Sequence, residues 1–486
     1  MDNTQLKQKT ISIMIWNAFQ SFGTMSISFI SNIVLARILV PDDFGCIGML
    51  SIFIVLSQVF IDGGFGSALI QKKDASNEDY STIFYWNLIV AVILFIALYF
   101  ASPAVARFYN MPVLCDVLRI VSIVLIINGF SVIQTTILTK QLKFKLIAKA
   151  NLIATIIGVI VSIIAALMGF GVWSLVIKTI LTSLIVAVLL WIYNEWRPLL
   201  CFSWKSFKKL FSFGSLLLFS RLLNSLFENL QSLVIGKFYT AKDLGFYSQA
   251  KRLDEIPSSS ISRIVTNVTF PVFSKISDNF EVLNKAVRRN IVCTTYLLFP
   301  LEIMLIVVAD SLIVTLFSEK WIETIPYFRI ICIYSLFISL NAINTNIYIA
   351  LGKSKLYFWV QFIKKVIGIG LLIAGMRFGV VGIAWSLSIS GFLWWVIAAC
   401  VNKRIMQYGF FEQVFDVSIA LLFAILSGAV TYLVSLCLSF YPFVNLIILS
   451  ALYVSGYLFL SHIFKLEPLL AYRSIVEDFI KKRRVK

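Results

Sequence analysis

The sequence predicts an all-α polytopic membrane protein, with about fourteen transmembrane helices in two pseudo-two-fold-related six-helix lobes plus two C-terminal helices. Three observations support this fold class: the composition, the spacing of the apolar segments and an internal duplication. Of the 486 residues 59% are hydrophobic and only 14% are charged, and the mean hydropathy is +0.91. Soluble domains carry about 25% charged residues. This chain therefore has too little polar surface to fold in water.

Long apolar windows follow one another from the first residues to the last. A helix needs about 20 apolar residues to cross about 30 Å of hydrocarbon, because each residue rises about 1.5 Å. The eighth window is the weakest, because it is rich in Ser and Thr. The windows lie near 12–36, 46–70, 83–102, 114–138, 150–168, 171–193, 210–235, 257–274, 291–317, 325–351, 356–376, 380–401, 416–438 and 441–464.

The basic residues concentrate in alternate loops and give the chain a net charge of +18. One set of loops holds clusters such as Lys140, Lys143 and Lys145, whereas the intervening loops hold few basic residues. This bias places both termini in the cytoplasm and predicts a multi-pass protein of the cell inner (plasma) membrane. Because the positive charge serves orientation, we expect membrane lipids around the spans and no nucleic acid partner.

The chain also repeats itself. Residues 31–45 align without a gap to residues 231–245, and both segments end a span on a basic residue before an Asp-Phe-Gly or Asp-Leu-Gly sequence. Six spans are an even number, so the two copies have the same orientation and are related by an axis along the membrane normal. The predicted parts are an N-terminal six-helix lobe at 1–200, its repeat at 201–405, two additional transmembrane helices at 406–465 and a basic cytoplasmic tail at 466–486.

Several basic residues lie inside the predicted spans. A charge at the bilayer centre costs about 2.5–3.5 kcal/mol on insertion scales, so it usually faces a cavity or a partner. Arg119, Arg329 and Lys365 are the candidates for snorkelling to the headgroups. Four others lie deeper, and we expect them to line a substrate cavity unless they pair structurally. They are Lys178, Arg221, Arg263 and Lys364.

The seventh span carries a polar stripe. Arg221, Asn224, Glu228 and Gln231 are spaced by 3, 4 and 3 residues, which places them on one helix face. We expect Asn224 and Gln231 to line the same cavity as Arg221. Two alternatives stay open: Glu228 neutralises Arg221 across two turns, or the stripe supplies interhelical hydrogen bonds.

An acidic residue, Asp62, precedes Gly63-Gly-Phe-Gly66 inside the second span. An intramembrane carboxylate binds a coupling cation or proton, or it pairs with a basic residue, and both readings stay open for Asp62 and Glu228. The glycines permit close helix approach or a local bend. With an odd number of cysteines, no Cys-x-x-Cys pair and one histidine, we expect no metal site, cofactor or catalytic residue.

Four short segments carry a resemblance to a known family, in order and spacing more than in any one motif. The chain resembles the Wzx-type lipid-linked oligosaccharide flippases of the polysaccharide transporter family, within the multidrug/oligosaccharidyl-lipid/polysaccharide (MOP) exporter superfamily. The segments are Ala36-Arg-Ile-Leu-Val-Pro-Asp-Asp-Phe-Gly45, Asp62-Gly-Gly-Phe-Gly-Ser-Ala-Leu-Ile-Gln71, Phe84-Tyr-Trp-Asn87 and Gly245-Phe-Tyr-Ser-Gln-Ala-Lys251.

The resemblance implies a V-shaped pair of lobes that works by alternating access. It implies export of undecaprenyl-pyrophosphate-linked repeat units of O-antigen, capsule or another surface polysaccharide, from the inner to the outer leaflet. The family's basic cavity maps by position onto Lys178, Arg221, Arg263 and Lys364. H⁺ or Na⁺ is the expected coupling ion, and the polysaccharide polymerase machinery is a candidate partner.

Two other function classes are weighed beside the flippase. The first is a cation-coupled drug or small-molecule antiporter of the same superfamily, which would need carboxylates for cationic drugs, whereas basic residues outnumber acidic ones within the spans. The second is a membrane enzyme acting on lipid-linked glycans, which would need acid–base groups near the external face. The sequence shows no sizeable external loop for such groups, so we expect a transporter and not an enzyme.

Overall fold

The structure is a computed structural model that describes residues 3–276, 278–438 and 440–469, with side chains described except at 3–15, 17–19, 213, 216, 259–268, 270 and 271. Within these residues the regular elements are all helical, which confirms the predicted all-α class. The α-helices are α1 (Asn3–Ile38), α2 (Pro41–Asp62), α3 (Phe65–Gln71), α4 (Asn77–Phe108), α5 (Val113–Val121), α6 (Ile123–Lys140), α7 (Phe144–Leu167), α8 (Val172–Tyr193), α9 (Trp204–Phe238), α10 (Ala241–Lys275), α11 (Phe280–Val307), α12 (Ala309–Phe317), α13 (Thr324–Ala350), α14 (Ser354–Gly375), α15 (Gly379–Met406), α16 (Phe410–Cys437) and α17 (Pro442–Ile463).

Eleven helical segments of the described chain are long and apolar enough to cross a membrane, or twelve if the two halves of α9, which bend by 54°, form one span. One of the eleven, Ser354–Met406, contains 53 residues. It includes α14 and α15, which pack against each other, so it exceeds one crossing of about 30 Å. The multi-pass membrane fold is confirmed, and the count of fourteen spans stays a prediction.

The second predicted span is broken at two glycines. Gly63 and Gly64 have φ values of 55° and 71°, a left-handed conformation that favours glycine. Gly63 ends α2 with its N–H donating to the Val59 carbonyl at 3.0 Å. A Cβ atom on Gly64 would lie 2.7 Å from the carbonyl oxygen of Gly214 in α9. The expectation that these glycines permit both a bend and a close helix approach is therefore confirmed.

Two compact units divide the chain, Met1–Ser248 and Gln249–Lys486, here called unit 1 and unit 2. In unit 1, α7 packs against α1 and α8, and α9 packs against α2, α3 and α4. In unit 2, α13 packs against α11 and α15, and α16 packs against α11 and α17. The first helix of the predicted second copy thus belongs to unit 1 by its contacts. The division at residues 200, 405 and 465 stays a prediction.

The duplicated segments begin two equivalent helices, α2 and α10. In α2 the Asp43 carboxylate accepts a hydrogen bond from the Val40 N–H at 3.2 Å. In α10 the Asp243 carboxylate accepts one from the Thr240 N–H at 3.1 Å. Each aspartate lies in the first turn, where it satisfies a free N–H and offsets the positive end of the helix dipole. The repeated Asp therefore has the same local role in both copies.

The repeated glycines lie where these two helix starts meet inside unit 1. A Cβ atom on Gly45 would lie 1.8 Å from the carbonyl oxygen of Ala241, and a Cβ atom on Gly245 would lie 2.0 Å from that of Pro41. The contact is reciprocal, as expected of two copies related by a pseudo-two-fold axis. Only glycine allows the two backbones to approach this closely.

Gly45→Ala is expected to destabilise the protein, because the added methyl group overlaps the Ala241 carbonyl and overpacking costs about 1–3 kcal/mol. A thermal unfolding assay in detergent checks this by a lowered Tm. Gly370→Ala is the matched control, since a Cβ atom there meets nothing within 4 Å and alanine favours a helix interior. Equal Tm values for the two variants would contradict the reciprocal packing.

Candidate functional site

Arg221 of α9 and Asp62 of α2 form an ion pair in unit 1. A second guanidinium nitrogen of Arg221 donates to Ser67 Oγ of α3 at 3.2 Å. The Arg221 side chain is 45% exposed and the Asp62 side chain is 32% exposed. A ligand can therefore reach both charged groups of the pair. The structure thus joins two charges that lie 159 residues apart in the sequence. Of the two roles predicted for Asp62, pairing with a basic residue is the one that this geometry displays.

The predicted polar stripe lies on α9. Arg221, Asn224 and Glu228 are exposed, whereas Gln231 is half-buried. The Gln231 side-chain oxygen accepts a hydrogen bond from the Tyr247 hydroxyl at 3.1 Å. Asn224 and Glu228 have interactions of their own. The stripe is therefore accessible at Arg221, whereas its other end, at Gln231, is hydrogen-bonded to α10.

Lys178 of α8 is half-buried and donates to Ser31 Oγ of α1 at 2.7 Å. Ser31 is itself buried. This hydrogen bond links α8 to α1, as polar side chains do between the helices of membrane proteins. It also keeps the ammonium group inside unit 1 rather than at the headgroups.

Lys364 of α14 is the most deeply buried of the predicted site residues whose side chains are described, with 3% of its surface exposed. Its ammonium group lies 3.2 Å from the side-chain oxygen of Asn341 in α13. The Asn341 amide nitrogen donates to the carbonyls of Phe337 and Gly391, each at 3.0 Å, and so fixes that oxygen toward Lys364. Among the described side chains, no carboxylate lies within 4.0 Å of Lys364. A lysine held only by a neutral acceptor retains its attraction for an anion.

The remaining predicted site residue, Arg263, lies in α10, and its side chain is outside the described residues. The other three deep basic residues are not bonded to one another in the part of the chain that is described. Lys178 and Arg221 lie in unit 1 and Lys364 lies in unit 2. Their assignment to one substrate cavity stays a prediction.

Two arginines near span ends have partners close to those ends. Arg119 donates to Ser102 Oγ at 3.0 Å and lies over the Tyr99 ring, 4.8 Å from its centroid. Arg329 pairs with Asp310 at 2.6 Å, with side-chain exposures of 36% and 62%. Both positions fit the expectation that these arginines reach the membrane surface, because their partners lie near helix ends.

Sequence reasoning missed two buried polar groupings in unit 2. In the first, the Asn344 side-chain oxygen accepts from Gln413 at 2.8 Å and from Asn402 at 2.6 Å, while Gln413 accepts from Trp395 at 2.8 Å. This network ties together α13, α15 and α16, as polar groups do inside membrane bundles. Asn344 did appear in the sequence as a polar residue of the tenth span, but its partners come from other helices and have no common spacing.

The second missed grouping combines Asp254 of α10, Glu302 of α11 and Cys332 of α13. One carboxylate oxygen from each acid and the Cys332 sulfur lie within 4.8 Å of one another, and all three residues are buried. In the sequence Glu302 is an isolated acid inside the ninth apolar window, and Asp254 precedes the weakest apolar window. No pattern along the chain indicated that the two carboxyl groups meet.

The Asp62–Arg221 pair is expected to show measurable coupling in a double-mutant cycle of Asp62→Asn and Arg221→Gln. Because the pair is one-third to one-half exposed, we expect about 1 kcal/mol, read from thermal unfolding in detergent. The matched control is the cycle at Glu281 and Lys285, an exposed pair four residues apart with side chains 79% and 77% exposed. A coupling at Asp62–Arg221 no larger than in the control would contradict a specific pair.

The amino-acid sequence is similar to proteins of known families. The profile of the family described as "Polysaccharide biosynthesis protein" matches residues 34–326. The teichuronic acid biosynthesis protein TuaB of Bacillus subtilis (strain 168) is 31% identical over 366 residues, which cover 73% of this chain and 75% of TuaB. The lipopolysaccharide biosynthesis protein WzxC of Escherichia coli (strain K12) is 26% identical, over 78% of this chain and 77% of WzxC.

Solved structures support the same fold. The lipid II flippase MurJ, in an inward closed conformation, matches with a TM-score of 0.78 at 17% identity and covers 95% of this chain and 100% of its own. An inward-facing MATE multidrug transporter of the MOP superfamily matches with a TM-score of 0.63 at 13% identity, over 81% and 98% of the two chains. At these identities the matches establish the fold. The chain therefore belongs to the polysaccharide biosynthesis protein family and has the fold of the MOP superfamily.

Proposed function

We propose that this chain is a flippase that moves an undecaprenyl-pyrophosphate-linked oligosaccharide repeat unit from the inner to the outer leaflet by alternating access. Two similarities together support the proposal. The sequence resembles proteins named for teichuronic acid and lipopolysaccharide biosynthesis, and the fold resembles that of a lipid flippase. O-antigen, capsule or another surface polysaccharide is the product class. The glycan's identity is set by dispersed polar side chains.

The intramembrane basic residues support a pyrophosphate-linked substrate. A pyrophosphate cannot cross hydrocarbon without donors that compensate its charge, and charge-assisted hydrogen bonds from Arg and Lys are the strong ones. Arg221 is 45% exposed beside Asp62, and Lys364 has a neutral acceptor as its hydrogen-bond partner. We propose that Lys178, Arg221, Arg263 and Lys364 line the substrate cavity, with Asn224 and Gln231 contributing hydrogen bonds to sugar hydroxyls.

The direction of transport follows from charge and topology. We propose that the protein spans the plasma membrane with both termini in the cytoplasm, as the loop charges favour. An inside-negative potential then favours outward movement of an anion by about 2.3 kcal/mol per charge per 100 mV, if the whole charge crosses. Coupling to H⁺ or Na⁺ is part of the proposal, with the polysaccharide polymerase machinery as the partner that consumes the exported unit.

A second candidate function is a cation-coupled drug antiporter, which the fold match to a MATE transporter favours. Its coupling or drug-binding carboxylate would be Asp62, because an intramembrane acid can bind a cation. The pairing of Asp62 with Arg221 argues against this role, since the guanidinium occupies the carboxylate. Ethidium efflux that disappears with Asp62→Asn would favour the antiporter.

Loss of the basic residues is expected to stop lipid-linked glycan export. In a deletion strain of the native host, labelled undecaprenyl-linked glycan should accumulate on the cytoplasmic leaflet, and the wild-type gene should relieve the accumulation. We expect Arg221→Ala/Lys364→Ala to lower export at least about tenfold, since each 1.4 kcal/mol of lost binding is a factor of ten.

The matched control is Lys365→Ala, which removes the same charge from the next position of α14. It should export at the wild-type rate while all variants reach the membrane in equal amounts. Full export by the double variant would remove the cavity assignment. A normal leaflet distribution in the deletion strain, with no redundant exporter, would remove the flippase itself.

A further inference from the structure

Two carboxyl groups meet inside unit 2. Asp254 of α10 is 3% exposed and Glu302 of α11 is fully buried. One oxygen of each lies within 4.8 Å of the other and of the Cys332 sulfur on α13. Acids almost never lie at such depth without a partner, so this arrangement calls for a bound ion or proton.

The hydrogen bonds of the two carboxyl groups are unequal. One Asp254 oxygen accepts from the Ser335 hydroxyl at 2.6 Å, whereas the Ser258 hydroxyl, 3.4 Å from the same oxygen, donates to the Asp254 backbone carbonyl at 2.8 Å. The other Asp254 oxygen and both Glu302 oxygens are buried with no hydrogen-bond partner. Asp254 is therefore supported as an anion by the Ser335 hydroxyl, while the Glu302 oxygens have no donor that would stabilise a negative charge.

No basic side chain among the described residues lies within 4.0 Å of either acid. The charged groups on the surrounding helices are engaged or point away. On α10, Arg252 and Glu255 are exposed; on α13, Arg329 pairs with Asp310 of α12. On α14, Lys364 bonds to Asn341, which is nine positions, or about 13 Å, along α13 from Cys332.

On the other side of α11, the described contacts near this level are between uncharged groups. Gly428 of α16 faces Ile303 and Val307, the neighbours of Glu302. The tyrosines of α17 that pack in the same cluster donate their hydroxyls to backbone carbonyls: Tyr453 to Ala424 at 3.1 Å and Tyr457 to Tyr296 at 3.0 Å. Among the described side chains, the acids therefore face each other, Cys332 and the Ser335 hydroxyl.

Two ionised carboxylates cannot persist in this setting. Each would bear an effective desolvation penalty of several kcal/mol, and their mutual repulsion at this distance adds to it. One proton removes both terms. A Glu302 hydroxyl that donates to the free Asp254 oxygen also satisfies atoms that otherwise lack partners, and a side-chain rotation closes a separation of at most 4.8 Å.

We propose that Asp254 and Glu302 form a proton-binding site that holds one proton between them. The proton comes from water and returns to water: binding forms the Glu302 O–H bond, and release breaks it and leaves the pair with one more negative charge. The Ser335 hydroxyl holds Asp254 as the acceptor. The weakly polar thiol of Cys332 packs beside the two carboxyl groups and shields them from bulk water.

The depth of the site indicates which face exchanges the proton. Glu302 lies five positions before the end of α11 and Cys332 eight positions after the start of α13, which corresponds to about 8 and 12 Å. These helix ends are opposite the basic loops around Lys275 and Lys353. Under the proposed topology they face the outside. Proton entry from outside could then drive transport, a link that rests on the proposed function.

Infrared difference spectroscopy on the full-length protein in lipid tests the site without any substrate. At neutral pH the wild type should show the C=O stretch of a protonated carboxyl group, shifted by exchange into D₂O. Glu302→Gln should lose that band, whereas Asp254→Asn should shift its frequency, because the Glu302 hydroxyl stays in place but loses its carboxylate acceptor. Asp310→Asn is the matched control, because it removes an exposed carboxylate of the same unit that is paired with Arg329, and it should keep the band.

Absence of the band from folded wild type overturns the proposal, and so does a band that Glu302→Gln leaves unchanged. If the variants do not fold, the wild-type protein is titrated to alkaline pH. The carboxyl band should then disappear reversibly, and a band that stays unchanged between neutral and alkaline pH overturns the proton site. Loss of a wild-type band on Na⁺ addition at neutral pH confirms that the pair exchanges its proton.

The link to transport is tested separately in proteoliposomes with an imposed pH gradient. With one proton per cycle, one pH unit (1.36 kcal/mol) should change the leaflet ratio of a lipid-linked glycan about tenfold. Glu302→Gln should reorient the lipid without this dependence, whereas a dependence equal to wild type overturns the coupling role. A wild type that moves no lipid with or without a gradient contradicts the proposed function and leaves the infrared result standing.

Discussion

The absence of water from the bilayer core is the constraint on which the rest of the structure depends. Every backbone N–H and C=O in hydrocarbon needs a partner within the protein, and a helix supplies those partners within one segment. The described chain accordingly consists of helices with short connections. Where a helix is interrupted, as at Gly63 and Gly64, the free groups are capped and the break is packed against α9. Several polar side chains likewise meet partners on other helices.

That rule explains how the intramembrane charges are arranged. Arg221 meets Asp62, Lys178 meets Ser31, and Lys364 meets Asn341. These contacts differ in how much of the charge they neutralise. Arg221 has a full counter-ion but remains half-exposed, whereas Lys364 is buried against a neutral amide. A transporter for an anionic lipid headgroup needs both features: donors that the substrate can reach and positive charge that the protein has not already cancelled.

The duplication has a packing consequence as well as a topological one. At the starts of α2 and α10 the two copies touch through equivalent glycines, Gly45 against Ala241 and Gly245 against Pro41. A sequence repeat alone says that two segments have the same local structure. Reciprocal contact adds that each copy forms the surface on which the other packs, so a side chain at either glycine disturbs both. The repeated Asp-Phe-Gly and Asp-Leu-Gly segments are therefore also a packing motif.

The sequence by itself determined the fold class, the multi-pass character and the repeat, and it showed that the glycines after Asp62 permit a bend or a close helix approach. These properties follow from apolar length, loop charge and residue type, all of which are local. It also singled out Asp62 and Arg221, but not that they pair. Only the tertiary structure decided that contact and the meeting of Asp254 with Glu302, because partners on different helices depend on how each helix is rotated and packed, and no spacing along the chain encodes that.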